Sequence, residues 1–403
     1  MMRVSSPEVP AAGAGSVPAA GPVPLLLLAP ATGGGHRSAA AAVAEAVRQG
    51  YPGRFIPVVC DPLAGPGAAR PLRWIARGYG PLIRYAPWLW GLLYRATDSR
   101  PAARLLHLAV TALAGRLVTE AVAGWDPAAI VSFHPLTGHA AVRARDAAAP
   151  GAPVVTVVTD LGPPHATWTW PRADRTVPAA AAGVPVGPRS AAAPPDPAER
   201  AALRGRLGHP GARFLVVAAG GAEGAGRLAR RAAAIARRLP DVDVAVICGR
   251  NRRLRRRLDK LAARRGGRLS VHGFVTDMAA WLRAADVVVT KAGPGTIAEA
   301  ACCGAAMLLT CRLPGQERGN PGQVTAAGAG MYLPRTGRLV AGVARLRDDA
   351  AALAAMRAAS ARLARPDAAA GIAAVVAGLA GARCAGKPRR ARRPLALPGG
   401  QHG

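Results

Sequence analysis

Short apolar runs recur along this chain, each closed by a glycine- or proline-marked turn and followed by a stretch of helical period. Strands at 23–29, 55–60, 129–133 and 154–159 alternate with helices, the first helix spanning 36–48. Alternation of this kind implies a parallel sheet covered on both faces, because each crossover lays a helix on the sheet. A Pro-rich break at 191–200 precedes a second series, with strands at 214–219, 242–248, 269–272, 287–290 and 305–310. Helices are expected at 227–239, 252–263 and 295–303. The fold class is therefore α/β, with two doubly wound domains whose strands end on a shared cleft. The expected division is a disordered 1–21, a first domain over 22–190, a linker over 191–200, a second domain over 201–384 and a disordered basic tail over 385–403.

The formal charge of +31 comes almost wholly from arginine, since Lys260, Lys291 and Lys387 are the three lysines. Such a surface favours anionic partners. No helix-turn-helix, zinc-finger or RNA-binding signature is present, so no specific nucleic-acid partner is expected. The six cysteines show no CxxC pair and no metal-ligand spacing, and several lie in apolar runs as small core residues. They point to a reducing cytoplasm. The Leu25–Leu28 run is too short for a signal sequence, and no stretch reads as the roughly 20 apolar residues of a membrane span. Membrane contact is expected to be peripheral, on the inner face of the plasma membrane.

Three segments carry chemistry. Residues 31–38, ATGGGHRS, follow a strand and open a helix. Gly34 and Gly35 let a ligand approach the backbone, and His36 stands where an imidazole could take a proton from an attacking hydroxyl. A plain glycine turn with a histidine cap reads equally well from the residues alone. Residues 291–299, KAGPGTIAE, repeat the strand–turn–helix plan. Gly295, Thr296 and the free N–H groups suit a diphosphate, and the carboxylate of Glu299 suits two vicinal ribose hydroxyls. Glu299 could equally be a first-turn acid favoured by the helix dipole. In PGQERGN, residues 314–320, Gln316, Glu317 and Asn320 offer the donors and acceptors that sugar hydroxyls need. A polar surface loop is the alternative.

Together with VSFHPL at 131–136, VTDL at 158–161, CGRN at 248–251 and GF at 273–274, these segments resemble glycosyltransferase family 28. The branch is that of monogalactosyldiacylglycerol synthases and processive diacylglycerol glucosyltransferases, and the resemblance runs from about residue 23 to about 333. It implies a GT-B fold and an inverting hexosyltransferase that moves glucose or galactose from a UDP-sugar to diacylglycerol or a related lipid, with no catalytic metal or other cofactor. It also implies roles. His36 would be the base or an acceptor-orienting group, with Asp160 and His165 near the acceptor entrance and Trp168 beside them. Gly220, Gly221 and Thr296 would cradle the diphosphate, Glu299 the ribose, and Gly273 and Phe274 the base. Arg250 and Asn251 would border the donor cleft, and Gln316 and Glu317 would contact the sugar. In the family a longer segment, with a strand, a helix and a GIPV-like turn, lies between Asp174 and Pro188. Its compression here predicts the loss of one helix.

Residues 70–100 hold Trp74, Tyr79, Tyr85, Trp88, Trp90 and Tyr94, interleaved with Arg70, Arg73, Arg77, Arg84 and Arg95. Amphipathic aromatics among arginines suit an anionic bilayer interface, although a buried aromatic cluster has the same composition. The basic tail, with Lys387 and Arg389, could add to such attraction. Two other functional readings share the fold. A UDP-sugar 2-epimerase needs acid and base groups around the sugar C2, for which no motif is visible. A lipid- or nucleotide-binding relic would bind without turnover.

Overall fold

The computed structural model describes residues 21–30, 34–65, 67–211, 213–222, 224, 227–264 and 268–385. The expected features at 1–20 and 386–403, and Thr32 and Gly33 of the first glycine turn, lie outside these residues. The first domain runs β1 (Val23–Leu28), α1 (Gly35–Gly50), β2 (Phe55–Cys60), α2 (Arg70–Tyr85), α3 (Pro87–Thr97), α4 (Arg100–Trp125), β3 (Ala129–Ser132), α5 (Gly138–Ala148), β4 (Val154–Val158) and β5 (Arg175–Pro178). Two single turns, α6 (Ala179–Ala182) and α7 (Pro188–Ala191), lead out of it. The second domain begins at α8 (Pro197–Arg206) and continues β6 (Phe214–Ala219), α9 (Leu228–Arg238), β7 (Val242–Ile247), α10 (Arg252–Ala262), β8 (Leu269–His272), α11 (Met278–Ala284) and β9 (Val287–Lys291). It ends with α12 (Pro294–Cys302), β10 (Ala306–Cys311), α13 (Asn320–Ala326), β11 (Gly330–Tyr332), α14 (Thr336–Asp348) and α15 (Ala350–Leu363), followed by α16 (Ala368–Ala385).

Both sheets are parallel throughout, in the orders β2-β1-β3-β4-β5 and β11-β10-β9-β6-β7-β8. The central strands are buried on both faces, which is why β1, β6 and β9 read as continuous apolar runs rather than as alternating ones. In each sheet the strand order reverses once. The reversal falls between β1 and β3 in the first domain and between β6 and β9 in the second. Crossovers leave these pairs in opposite directions and open a crevice at their carboxyl ends. The turns after β1 and β9 are the two glycine-rich motifs, so the topology alone delivers both to crevices.

The stretch after Asp174 keeps more than its length suggested. It forms the edge strand β5, and the helix expected to be lost survives as the single turn α6 before Gly183–Val186. The second domain, expected to extend to 384, does not hold the last helix. Ile372, Ala373, Val376, Ala377 and Ala380 of α16 pack into the first domain's core with Leu25, Val43 and Val131. The chain thus crosses back, burying a helix that is apolar around most of its circumference. The linker is held from the second domain: Arg283 donates to the carbonyls of Ala192 and Ala193 and pairs with Glu199 at 2.6 Å.

The expectation that no segment is long and apolar enough to cross a membrane is corrected for two helical stretches. Arg100–Trp125 (mean hydropathy 1.4) and Ala350–Ala385 (mean hydropathy 1.6) both qualify by length and composition. Alanine and valine raise hydropathy without forming the long aliphatic run that catches the eye. The second stretch is broken at 364–367 and contributes to both cores, whereas α4 packs one face on the first domain and leaves Leu105, Leu108 and Leu113 exposed.

Candidate active site

Gly34 has φ +81° and precedes α1, a conformation that costs a side-chain-bearing residue dearly. A Cβ built there would stand 3.3 Å from the Cβ of Ala222, so the turns after β1 and β6 face each other across the cleft. Gly35 then opens α1 into free space. One residue further on, His36 is partly buried. Its Nδ1 lies 3.1 Å from Thr159 Oγ1, the carbonyl of Phe133 accepts a further bond from the ring, and His134 meets it edge-on at 4.8 Å. Burial lowers its pKa, opposed by the nearby Asp160 carboxylate and by the Phe133 carbonyl. A ring held neutral carries the lone pair that a general base needs.

Asp160 is buried, and both of its oxygens are engaged. Oδ2 accepts from Trp168 Nε1 at 2.6 Å, and Oδ1 accepts from Gln316 Nε2 at 3.2 Å. Asp160 therefore stands beside His36 as an oriented counter-charge that favours the imidazolium, rather than as a free base. Trp168, expected near the lipid, is 2% exposed and pins that carboxylate. His165 is likewise buried. Its Nδ1 meets Thr167 Oγ1 at 2.7 Å, and its Nε2 meets the Tyr94 carbonyl at 2.9 Å and Thr97 Oγ1 at 3.3 Å. It fastens the loop after β4 to the end of α3.

The aromatic segment divides by face. Trp74, Ile75, Tyr85 and Trp88 are exposed and lie in one stretch with Leu92 and Leu93. Trp90, expected with them, turns inward instead, edge-on to Tyr79 at 5.2 Å and tilted against Tyr94 at 6.3 Å. Tyr94 lies against the sugar-loop backbone: a Cβ on Gly315 would be 2.4 Å from its Cδ1. Burial and the charges of Asp160 and Asp98 raise its phenol pKa, so it remains neutral.

In the second domain, Gly220 follows β6 and Gly221 turns with φ +69° beside Lys291. Gly293 precedes α12 without a side-chain cap, and Gly295 has nothing within 4 Å of a built Cβ, which leaves the first-turn N–H groups at Gly295 and Thr296 open to an anion. Glu299, one turn on, has its pKa raised to about 7 by burial. Arg250 stacks its guanidinium 4.8 Å over the Phe274 ring, and the two line a cavity of about 340 Å³ with Gly249, Asn251 and Gly273. Phe274 is otherwise exposed, as a platform for a planar ligand would be. A larger cavity, about 420 Å³, lies on the outer face of α4 at Arg104 and Leu105, away from these glycines.

Three residues expected at the donor also make contacts within the protein. Asn251 caps α10, accepting from Leu254 N at 3.0 Å. Glu317 is 1% exposed, salt-bridged to Lys291, with its second oxygen accepting from Leu313 N at 2.8 Å. Asn320 is fully buried and donates to the Ala292 carbonyl at 2.8 Å. A loop that must hold one side chain toward a ligand spends its other polar residues on its own shape. Thr159, Phe133 and His134, which surround His36, had no assigned role, although VSFHPL and VTDL at two strand ends marked their positions.

Two facing parallel-sheet domains with glycine turns at both switch points define a GT-B fold. The fold matches MurG from Acinetobacter baumannii with TM-score 0.55 at 18% identity, covering 89% of this chain and all of that one. It also matches a UDP-N-acetylglucosamine 2-epimerase from Listeria monocytogenes (TM-score 0.53, 16% identity, 89% and 96% coverage), so fold alone does not separate transfer from epimerisation. The monogalactosyldiacylglycerol synthase sequence pattern covers residues 36–182, and that of the glycosyltransferase family 28 C-terminal domain covers 215–372. A probable monogalactosyldiacylglycerol synthase 2, chloroplastic, from Oryza sativa subsp. indica is 34% identical over 339 residues, which is 76% of this chain and 70% of the relative. Monogalactosyldiacylglycerol synthase 1, chloroplastic, from Arabidopsis thaliana is 31% identical over 338 residues, 77% of this chain and 62% of the relative. The chain belongs to the monogalactosyldiacylglycerol synthase branch of glycosyltransferase family 28.

These relatives overturn one expectation. They are named as chloroplastic proteins, not as proteins of the plasma membrane's inner face. Free thiols and a basic surface suit any reducing compartment bordered by an anionic bilayer, so they could not select the plasma membrane.

Proposed function

We propose that this glycosyltransferase moves a hexose, glucose or galactose, from a UDP-sugar to diacylglycerol or a closely related membrane lipid. The observation that carries the reading is the convergence of a neutral, oriented His36 on the first domain's switch point with the uncapped α12 and Glu299 on the second's. The relatives' names support galactolipid as the product class. In the reaction the acceptor oxygen attacks the anomeric carbon from the face opposite the diphosphate and gives its proton to His36. The bond from the anomeric carbon to the β-phosphate oxygen breaks, and its electron pair leaves with UDP. Asp160 favours the imidazolium that forms, and the α12 N-terminus favours the departing charge without solvent reorganisation. Configuration inverts, because attack and departure lie on opposite faces.

The exposed Trp74, Trp88, Leu92 and Leu93 face is the surface proposed to meet an anionic bilayer, from which an acceptor with one polar hydroxyl reaches the cleft edge. The test is purified protein with UDP-glucose or UDP-galactose and diacylglycerol in vesicles. UDP release and glycolipid formation are expected only when both substrates are present. His36→Ala should lower turnover by about 10²–10⁴ with UDP affinity retained. UDP binding without turnover under any hexose and lipid pairing would leave a binding relic instead, and conversion of UDP-N-acetylglucosamine to its C2 epimer would favour the epimerase.

A further inference from the structure

Lys291 ends β9 in the middle of the donor-side turns, and nothing above gives it a chemical role. Its ammonium donates to Glu317 Oε1, and Glu317 Oε2 is held by the Leu313 N–H, so the carboxylate is immobile. The lysine side chain is 17% exposed and its partner 2%. The partially open member of the pair is thus the cation. Its stem and head run between two glycines: a Cβ added at Gly221 would lie 3.3 Å from Cε, and one at Gly293 2.6 Å from Nζ. Those glycines belong to the turns after β6 and β9, the two strands of the switch point. Both must lack a side chain for the ammonium to stand there. An ammonium carries three N–H donors, so its bond to Glu317 leaves donors for another acceptor. The first-turn N–H groups of α12 open beside it.

We propose that Lys291 binds the donor's diphosphate and takes up the negative charge that develops on it as the sugar leaves, with Glu317 as the fixed carboxylate that holds the ammonium in place. This rests on the nucleotide-sugar reading above. When the bond between the anomeric carbon and the β-phosphate oxygen breaks, the electron pair goes to the diphosphate, and a fixed cation in a water-poor turn stabilises it more than solvent would. The arrangement also explains why Glu317, placed in a loop suited to reading sugars, is buried. Its partner is the lysine, and its effect on the donor passes through that ammonium.

The test compares UDP with uridine by titration calorimetry, which needs no acceptor and no turnover. Wild type is expected to bind UDP much more tightly than uridine. Lys291→Met should cut that ratio by tenfold or more while uridine affinity stays within about twofold, and Lys291→Arg should restore part of it. Leaving Glu317 buried without its cation can unfold the loop, so the paired variant Lys291→Met with Glu317→Gln is the second arm, with the same expected loss. An unchanged ratio of UDP to uridine affinity in the paired variant overturns the proposal and leaves Lys291 as a strut for the loop. If wild type binds neither uridine nor UDP, the nucleotide-sugar reading itself fails, and the proposal falls with it.

Discussion

At the scale of single residues, burial sets the protonation of His36 and Glu299. Glu299 has a pKa of about 7 because burial disfavours its charged form. Ribose hydroxyls donating to the ionised form would pull that value down, so UDP binding near pH 6.5 should release a proton, and affinity should rise through pH 7 and level off above it. Glu299→Gln is expected to weaken UDP binding roughly ten- to a hundredfold at pH 8 and to abolish proton release, as calorimetry in buffers of different ionisation heat would detect. The same shift works against stability. A carboxyl raised in the folded state holds a proton that the unfolded chain has lost, so its cost is absent below about pH 4.5 and complete above about 7. The glutamine variant should therefore gain thermal stability at pH 8 and little at pH 5. Legibility in the sequence was divided by the same physics. The positions of the glycines, His36 and Glu299 at strand-end turns were legible because place within a turn is a local property. For Glu317 and Asn320, expected at the sugar, only tertiary packing reveals that Glu317 meets Lys291 and that the Asn320 amide donates to the Ala292 carbonyl.

At the scale of elements, α3 joins the two halves. A Cβ on Gly91 would stand 2.4 Å from the Cβ of Pro314, Tyr94 touches Gly315, and Gln316 reaches Asp160 just beyond β4. One face of α3 thus carries Trp88 and Leu92 outward while its other face seats the loop over 312–320. Gly91→Val should push that loop away, raising the KM for the UDP-sugar and costing about 1–3 kcal/mol of stability by overpacking. Gly78→Ala on α2, where nothing lies within 4 Å of the added carbon, is expected to be neutral or stabilising by up to about 1 kcal/mol. Donor kinetics and thermal unfolding of the two variants check the contrast. Composition could mark α2 and α3 as aromatic and basic. Which aromatics face outward depended on the α2–α3 crossing, and so Trp90 was misplaced.

At the scale of the whole molecule, α16 makes each domain's folding depend on the other. The last described helix completes the first domain's core, so Ile372→Ala should cost about 2–5 kcal/mol and should destabilise α1 and β1 although the substitution lies at the far end of the chain. Hydrogen exchange on the first domain's amides, measured with and without the substitution, would show it. Protection lost only in α14 and α15 would contradict that coupling.

By itself, the sequence determined the fold class, nine of the eleven described strands to within a residue or so, and both glycine turns, because alternation, turn chemistry and strand-end placement are local properties of a parallel sheet; the short edge strands β5 and β11 carry too little apolar length to be read that way. Only the tertiary structure decided which polar side chains remain available to a ligand. It turned Trp168, His165, Glu317 and Asn320 inward and brought Gln316 to Asp160 across the cleft. Those outcomes depend on contacts between segments far apart in the chain, where the domains meet, and no local pattern encodes which partner a buried donor or acceptor will find.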